Sequence, residues 1–271
     1  MTSDGNGTVS PTREVFASRP LAGRTALVTG AGQGVGRGIA LALADAGARV
    51  VCAGRTVAKC ETVAAEIGRR GGEAIAVGCD VKDAGQVTAT VEAAVARFGG
   101  LDIVVNNAQE VPRGPILEVD DDAYRAGWES GPLATVRFMR AAHPHLAASP
   151  HGGVVINLAS HAGVKPDPSR AGLYAGLKEE IRTIGRAAAI EWAPDGIRVF
   201  SILPLARTPA LDAFEQADPE RYAEVLAEIP QRRFGDPETD IGPVVVFLCT
   251  SAARYLTGIS VPIDGGTAHI G

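Results

Sequence analysis

Short apolar runs alternate along the chain with stretches of helical periodicity. The apolar runs predict strands at residues 25–29, 49–53, 74–77, 101–105, 154–158, 197–203 and 260–263. Between them, apolar residues recur every three or four positions and predict helices at 35–47, 57–70, 84–98, 120–146, 173–192 and 244–249. This β-α alternation predicts an α/β fold, a doubly wound parallel sheet with helices on both faces, in a single domain over 21–271.

Three segments depart from the alternation. The first 20 residues are rich in small polar side chains and lack an apolar core, so we expect a disordered lead-in and no signal peptide. Pro132 lies inside the helix predicted at 120–146, where its missing N–H and its ring should kink the helix. Residues 205–235 contain only short amphipathic pieces, around 211–214 and 222–229, and an insertion at this edge of the sheet predicts a substrate lid.

A glycine-rich turn joins the first predicted strand to the first predicted helix. Gly30, Gly34 and Gly36 remove Cβ atoms where the chain turns tightly and where backbone has to approach a ligand. The turn also includes Gln33 and Val35, and it should present backbone N–H groups and the positive end of a helix dipole to a phosphate or pyrophosphate. An ordinary glycine-rich turn is the alternative, but the strand before it and the helix after it favour dinucleotide binding.

Tyr174 and Lys178 lie four residues apart in a predicted helix, so their side chains share one face. A free tyrosine has a pKa near 10, and a neighbouring ammonium group should lower the pKa of Tyr174 toward a value useful for proton transfer. Ser160 follows the preceding strand and can donate a hydrogen bond to a carbonyl in the same crevice. The alternatives are a surface pair for Tyr174 and Lys178, and a capping or loop role for Ser160.

Composition and charge exclude several classes of function. The 271 residues are 46% apolar and 21% charged with a net charge of −5, values typical of an enzyme and not of a protein that binds nucleic acid. No apolar run is long enough to cross a bilayer, so we expect a cytoplasmic protein without a membrane partner. Free thiols and no metal site are expected, because the histidines lack ligand spacing and no C-x-x-C pair occurs among Cys52, Cys60, Cys79 and Cys249.

Several motifs together resemble the short-chain dehydrogenase/reductase family over residues 21–266. These are Thr29-Gly30 with Gly34 and Gly36, Cys79-Asp80-Val81, Asn106-Asn107-Ala108, Ser160, Tyr174-x-x-x-Lys178, Thr257-Gly258 and Asp264-Gly265-Gly266. The resemblance implies a Rossmann-type sheet of about seven strands and hydride transfer between NAD(P) and a small-molecule alcohol or carbonyl substrate. It also implies a homo-oligomer, usually a tetramer and otherwise a dimer.

The resemblance further implies roles for individual residues. Tyr174 would be the general acid/base, and Ser160 would position the carbonyl. Lys178 would hold the nicotinamide ribose and lower the pKa of Tyr174. Further contacts to the dinucleotide are expected from Asp80 and Asn106 on the adenosine side, and from Val81 and Thr208.

Three positions depart from the family's pattern. Gln109 replaces the glycine that usually follows Asn-Asn-Ala, Gly131 holds the place of the catalytic asparagine, and Thr208 comes one residue early because the Pro-Gly after the sixth strand is missing. We expect Gly131-Pro132 to kink the helix and to leave room for a water, so that a relay from Lys178 to solvent persists through a backbone carbonyl. Plain loss of the relay is the alternative.

The residues after the second strand bear on the choice of cofactor. No acid follows Ala53, and Arg55 can make a charge-assisted contact to a 2′-phosphate, so NADP is favoured over NAD. Gln33 stands where many NADP users of the family carry a second basic residue, which keeps NAD as the alternative. Two other functions stay open: a dinucleotide-binding sensor or assembly partner without redox turnover, and a lyase or isomerase.

Overall fold

The computed structural model describes residues 18–165 and 172–268, so most of the predicted lead-in at 1–20 lies outside the described residues. Strands β1 to β7 are Thr25–Thr29, Arg49–Gly54, Glu73–Gly78, Ile103–Asn106, Val154–Leu158, Arg198–Pro204 and Ser260–Ile263. Within the described ranges, all seven pair in parallel in the order β3-β2-β1-β4-β5-β6-β7. This topology confirms the Rossmann-type doubly wound sheet predicted from the sequence.

The helices connect these strands. Helices α1 to α5 are Gly34–Asp45, Val57–Arg69, Ala84–Phe98, Asp121–Trp128 and Ala134–Ala147, and α6 to α10 are His161–Val164, Gly172–Glu191, Pro209–Ala217, Pro219–Glu228 and Gly242–Cys249. Short π-helices lie at Glu129–Leu133 and Pro237–Ile241, and short 3₁₀ turns lie at Ala193–Asp195 and Ser251–Ala253. Among the described helices, none is both long and apolar enough to span a bilayer.

The core has two halves, one on each face of the sheet. Successive side chains of β1 point to opposite faces, so Val28 packs in the half that contains Ile39 of α1, while Leu27 packs in the half that contains Val91 and Phe138 of α3 and α5. These side chains are fully or almost fully buried. Burial on both faces explains why the central strands are continuously apolar in sequence.

The strand order reverses at β1 and β4: β2 and β3 are added on one side of β1, whereas β4 to β7 are added on the other side, and this switch point places the functional crevice. Both strands end at the same edge of the sheet, and the Thr29 hydroxyl joins them by accepting hydrogen bonds from the backbone N–H groups of Asn107 (2.9 Å) and Ala108 (3.0 Å). In open α/β sheets, ligands bind in the crevice outside such a reversal point. The fold therefore directs attention to the loops after β1 and β4.

Two segments differ from the sequence-based expectations. The helix predicted at 120–146 is divided into α4, a π-helix and α5, and Pro132 lies in the π-helical part, so the helix is interrupted where the sequence predicts a kink. The loop expected after β5 contains the short helix α6, whose first turn is capped because Ser160 Oγ accepts from Ala162 N at 3.1 Å. Helices α8 and α9 occupy the segment at 205–235, and the role of this segment as a lid stays a prediction.

Candidate active site

A cleft of about 570 Å³ lies at the carboxyl edge of the sheet, between the loops after β1, β2 and β4 and the start of α7. Nine of the residues predicted to bind or act here line it: Gly30, Gln33, Gly34, Val35, Arg55, Asp80, Val81, Tyr174 and Thr208. Gly36, Asn106, Ser160 and Lys178 are not among the residues that line the cleft. The structure thus brings most of the predicted site residues together around one cleft, whereas four of them do not line it.

The turn between β1 and α1 forms one wall of the cleft. Gly30 and Gly34 have φ angles of +65° and +54°, which side chains with a Cβ rarely adopt. Gly36 faces away from the cleft, and a Cβ there would lie 2.5 Å from Asn107 Nδ2. Gly36 therefore permits close packing of α1 against the β4 loop, whereas Gly30 and Gly34 shape the surface that faces a ligand.

Charged side chains surround the end of the cleft beyond β2. Arg55 Nη1 lies 2.5 Å from Glu110 Oε1, and Lys82 Nζ lies 3.1 Å from the same oxygen. Lys59 Nζ donates to Gln33 Oε1 at 2.6 Å. The sequence analysis missed Lys59, Lys82 and Glu110, because they come from α2 and from the loops after β3 and β4 and carry no motif of their own.

Asn106 is not among the residues that line the cleft, so the expected contact of Asn106 with the adenosine side stays a prediction without support from the cleft lining. Its side chain is buried, and Nδ2 donates to Asn157 Oδ1 on β5 at 2.9 Å. The next residue, Asn107, lies at the cleft instead, and its Nδ2 donates to the carbonyl of Thr29 at 2.8 Å. Alternation of side chains along a strand end explains the exchange, because neighbouring residues point in opposite directions.

Ser160, Tyr174 and Lys178 converge at one side of the cleft. Ser160 follows β5 and is buried, and its side chain is hydrogen-bonded to the Tyr174 side chain in the first turn of α7. Lys178 lies one turn further along α7, where its Nζ donates to the carbonyl of Leu158 at 2.5 Å and lies 5.4 Å from the centre of the Tyr174 ring. Helical spacing thus places Tyr174 and Lys178 together on α7, and the end of β5 brings Ser160 to Tyr174.

Burial dominates the proton affinities of this group. It lowers the pKa of Lys178 from 10.5 to about 7, because an ammonium group loses solvation there. It also raises the pKa of Tyr174, and this effect outweighs the opposite effects of the hydrogen bond to Ser160 and of the Arg113 charge. The expectation that Lys178 lowers the pKa of Tyr174 is therefore not met in this structure.

The break between α4 and α5 lies beside the cleft and is filled by Gln109. In a π-helix the amide of residue 132 would donate to the carbonyl five residues earlier, at Gly127, but Pro132 has no N–H. Two side chains donate to that carbonyl: Gln109 Nε2 at 3.3 Å and Ser130 Oγ at 3.5 Å. A Cβ on Gly131 would lie 2.6 Å from Gln109 Cδ, so the expectation that Gly131 leaves room for a water is wrong: the Gln109 side chain fills this space.

The four cysteines are buried and unpaired, which confirms the expected free thiols. Over residues 18–165 and 172–268, no cluster of three or more His, Cys, Asp or Glu side chains has the geometry of a metal site.

Comparison with known proteins shows the family to which this chain is similar. The model of a family described as enoyl-(acyl carrier protein) reductase matches residues 30–268. The 12α-hydroxysteroid dehydrogenase of Clostridium sp. is 37% identical over 252 residues, which cover 90% of this chain and 96% of that protein.

Two solved structures show the same fold. A protein from Beutenbergia cavernae, provisionally assigned as an NAD(P)-dependent gluconate 5-dehydrogenase and holding NADP at low occupancy, has a TM-score of 0.84 and 37% identity, covering 91% of this chain and 97% of that one. The 3-ketoacyl-(acyl-carrier-protein) reductase from Brucella melitensis, in complex with NADH, has a TM-score of 0.83 and 32% identity, covering 92% of this chain and all of that one.

The fold, the cleft and these similarities define the class of protein. The chain belongs to the short-chain dehydrogenase/reductase family, as its motifs indicated. It is an oxidoreductase of that family, whose members act on alcohol or carbonyl groups.

Proposed function

We propose that this protein is an NADP(H)-dependent oxidoreductase that interconverts a secondary alcohol and the corresponding ketone, with Tyr174 as the general acid/base. The observation that carries the proposal is the convergence of Ser160, Tyr174 and Lys178 beside the cleft. The substrates in the names of the three relatives share a hydroxyl or keto group on a carbon between two other carbons. This shared chemistry favours a secondary alcohol or a ketone over other substrates.

The residues of the cleft fit a bound dinucleotide. The cleft volume of about 570 Å³ lies within the range of cofactor pockets, and its glycine turn lets backbone approach a pyrophosphate at the start of α1. Gly30, Gln33, Gly34 and Val35 would hold the pyrophosphate. Asp80 and Val81 would face the adenine, and Thr208 would contact the nicotinamide half. When bound, the dinucleotide supplies the hydride donor or acceptor.

The side chains of this chain supply the proton and hold the substrate. In the oxidation direction the deprotonated Tyr174 oxygen would take the hydroxyl proton of the alcohol, and in the reduction direction the Tyr174 hydroxyl would give its proton to the substrate oxygen. Ser160, whose Oγ is held by the N–H of Ala162, would donate a hydrogen bond to the substrate oxygen in the reduction direction. Lys178 would bind the nicotinamide ribose through its buried side chain.

The charges beyond β2 support NADP as the cofactor. Arg55 and Lys59 place two cations at the end of the cleft where the adenosine ribose would lie, and β2 is followed by no acid within its own loop. Lys59 supplies the second basic group that Gln33 does not, and Gln33 orients it through a hydrogen bond of 2.6 Å. Arg55 forms an ion pair with Glu110, so a 2′-phosphate would have to displace the Glu110 carboxylate in order to bind Arg55.

Substitution of Tyr174 by Phe tests the function. With NADPH and a panel of ketones, Tyr174→Phe should lower kcat about 10²- to 10⁴-fold, the usual contribution of positioned proton transfer, while the Kd for NADPH stays within about threefold. Tyr124→Phe removes a hydroxyl from an exposed tyrosine of α4 that is not among the residues lining the cleft, and it is the matched control. Turnover of Tyr174→Phe within threefold of wild type would remove Tyr174 from the chemistry, and NADPH binding without any turnover in the wild type would favour a sensor role.

A further inference from the structure

Arg113 places a positive charge at the catalytic end of the cleft. Its side chain is exposed, and it lines the cleft together with Tyr174. Burial raises the pKa of Tyr174, and the charge of Arg113 is close enough to act in the opposite direction. Within residues 18–165 and 172–268, no carboxylate forms an ion pair with Arg113. Arg113 thus borders the part of the cleft in which a substrate would meet Tyr174.

The other charged residues that line the cleft lie at the adenosine end. Arg55 and Lys59 follow β2, and Arg55 forms an ion pair of 2.5 Å with Glu110. Asp80, the second acid in the lining, follows β3 at the same end. Among the described residues, the catalytic end is therefore lined by the cation Arg113 and by no acid.

The loop that carries Arg113 is held in place on both sides of this residue. Pro112 is buried against α4, and a Cβ on Gly127 of that helix would lie 2.7 Å from Pro112 Cδ. On the other side, a Cβ on Gly172 in the first turn of α7 would lie 3.3 Å from Ile116 Cγ1. Because α7 also carries the proposed acid/base, these contacts fix the backbone of Arg113 relative to the reacting atoms.

The chemistry of this end of the cleft favours a carboxylate as the ligand of Arg113. A guanidinium group can donate two parallel N–H bonds to a carboxylate or to a phosphate. A single positive charge matches a monoanion, whereas a phosphate monoester carries nearly two negative charges at neutral pH. Val111, which also lines the cleft, and Pro112 are apolar and would face the carbon skeleton of such a substrate.

We propose that the substrate of this protein is a hydroxy acid or a keto acid, and that Arg113 binds its carboxylate while Tyr174 and Ser160 engage the reacting oxygen. The inference rests on the proposed function and names its substrate class. Arg113 is then a specificity-determining residue. It takes no part in hydride or proton transfer, and it orients the substrate by holding the end remote from the reacting carbon.

Matched pairs of ketones test this proposal. The acids 2-oxobutanoate, levulinate and 4-acetylbenzoate differ in the distance between carboxylate and keto group, and each is compared with its methyl ester in the presence of NADPH. In at least one pair, the wild type should show a kcat/KM at least about tenfold higher for the acid, and Arg113→Gln should abolish this preference by lowering the value for the acid alone. Arg113→Lys should keep part of the preference, because it retains the charge but loses the bidentate geometry.

The matched control is Arg69→Gln, at an exposed arginine of α2 that is not among the residues lining the cleft. It should leave both kcat/KM values unchanged. In Arg113→Gln the Kd for NADPH should stay within about threefold of wild type, and a loss of about tenfold or more would overturn the proposal by making Arg113 a contact of the cofactor.

Three other kinetic results would overturn the proposal. The first is an equal kcat/KM for acid and ester in every pair. The second is a preference for the acid that survives Arg113→Gln. The third is a preference of at least about tenfold for 4-acetylphenyl phosphate over 4-acetylbenzoate that Arg113→Gln abolishes, since Arg113 would then recognise a phosphate.

Calorimetric titration of the NADPH complex with the same acids gives a readout that does not depend on turnover. If the wild type reduces no ketone but binds an acid at least about tenfold more tightly than Arg113→Gln does, the carboxylate site stands and the proposed function fails. If the wild type reduces the esters as well as the acids, the proposed function stands and the carboxylate site fails. A wild type that neither reduces nor binds any of the acids would overturn the carboxylate site as well.

Discussion

Lys178 is a buried cation whose proton is held weakly, and this makes the stability of the protein depend on pH. Because its pKa falls from 10.5 to about 7 on folding, the unfolded chain binds more protons between these values, and stability rises with pH across that window. Below pH 7 the penalty for burying the ammonium is fully present and amounts to several kcal/mol at most.

Lys178→Met removes this penalty. The variant should be most stabilised relative to wild type below about pH 7, and the difference in Tm should shrink steadily as the pH rises toward about 10.5. Lys165→Met, at an exposed lysine, is the control and should show a difference that does not vary with pH in this way. Parallel Tm curves for wild type and Lys178→Met between pH 6 and 10 would mean that Lys178 keeps an ordinary proton affinity.

The proposed preference for NADP rests on Arg55, whose Nη1 lies 2.5 Å from Glu110 Oε1. Arg55→Ala should raise the Kd for NADPH about tenfold or more and leave the Kd for NADH nearly unchanged, because only NADPH carries the 2′-phosphate. Glu110→Gln should lower the Kd for NADPH, since it removes the carboxylate that competes with the 2′-phosphate for Arg55. Fluorescence titration with both dinucleotides measures this, and equal losses for both with Arg55→Ala would indicate that Arg55 stacks on the adenine.

The sequence was sufficient for the elements but not for the contacts between them. Strands β1, β5 and β7 have the predicted bounds, because unbroken apolar runs between turn residues leave little freedom. The Tyr174 and Lys178 pair was readable because helical spacing is local. Lys59, Glu110 and the contact between Gln109 and Gly131 were not readable, since side-chain directions across separate loops decide them.

The break between α4 and α5 could be predicted in part, because Pro132 is visible in the sequence but the contacts that fill the break are not. Proline predicted the kink, but only the structure shows that Gln109 and Ser130 donate to the Gly127 carbonyl in place of the missing N–H. Pro132→Ala restores a backbone donor that competes with Gln109 Nε2 for this carbonyl, so we expect the helix to become regular and the Gln109 amide to be released.

Pro132→Ala should therefore lower kcat severalfold while Tm stays equal or rises, because a regular helix gains a hydrogen bond. Pro144→Ala is the matched control, since Pro144 also lies inside a helix, α5, but is not among the residues that line the cleft. Thermal unfolding and steady-state kinetics on both variants measure the effect. An unchanged kcat and pH profile for Pro132→Ala would show that the break has no part in proton delivery.

Among the described residues, several apolar side chains are exposed at one edge of the sheet. Ile190 at the end of α7 is 80% exposed, and Tyr255 before β7 is fully exposed. Leu256 and Ile259 flank the same loop, and Gly258 packs against Ala189, so these side chains form one surface around the edge strand β7. An exposed strand edge with apolar neighbours is normally covered by another chain, which supports the predicted homo-oligomer.

This surface gives the homo-oligomer a specific test. Light scattering after size exclusion should report a dimer or tetramer for the wild type, and Ile190→Asp with Tyr255→Asp should lower the mass, because two charges would be buried without partners. Leu117→Asp introduces the same charge at a 98% exposed position outside this surface and should leave the mass unchanged. A lower mass with Leu117→Asp and not with the double variant would place the interface on the loop before α4, and a monomeric wild type would exclude a stable homo-oligomer altogether.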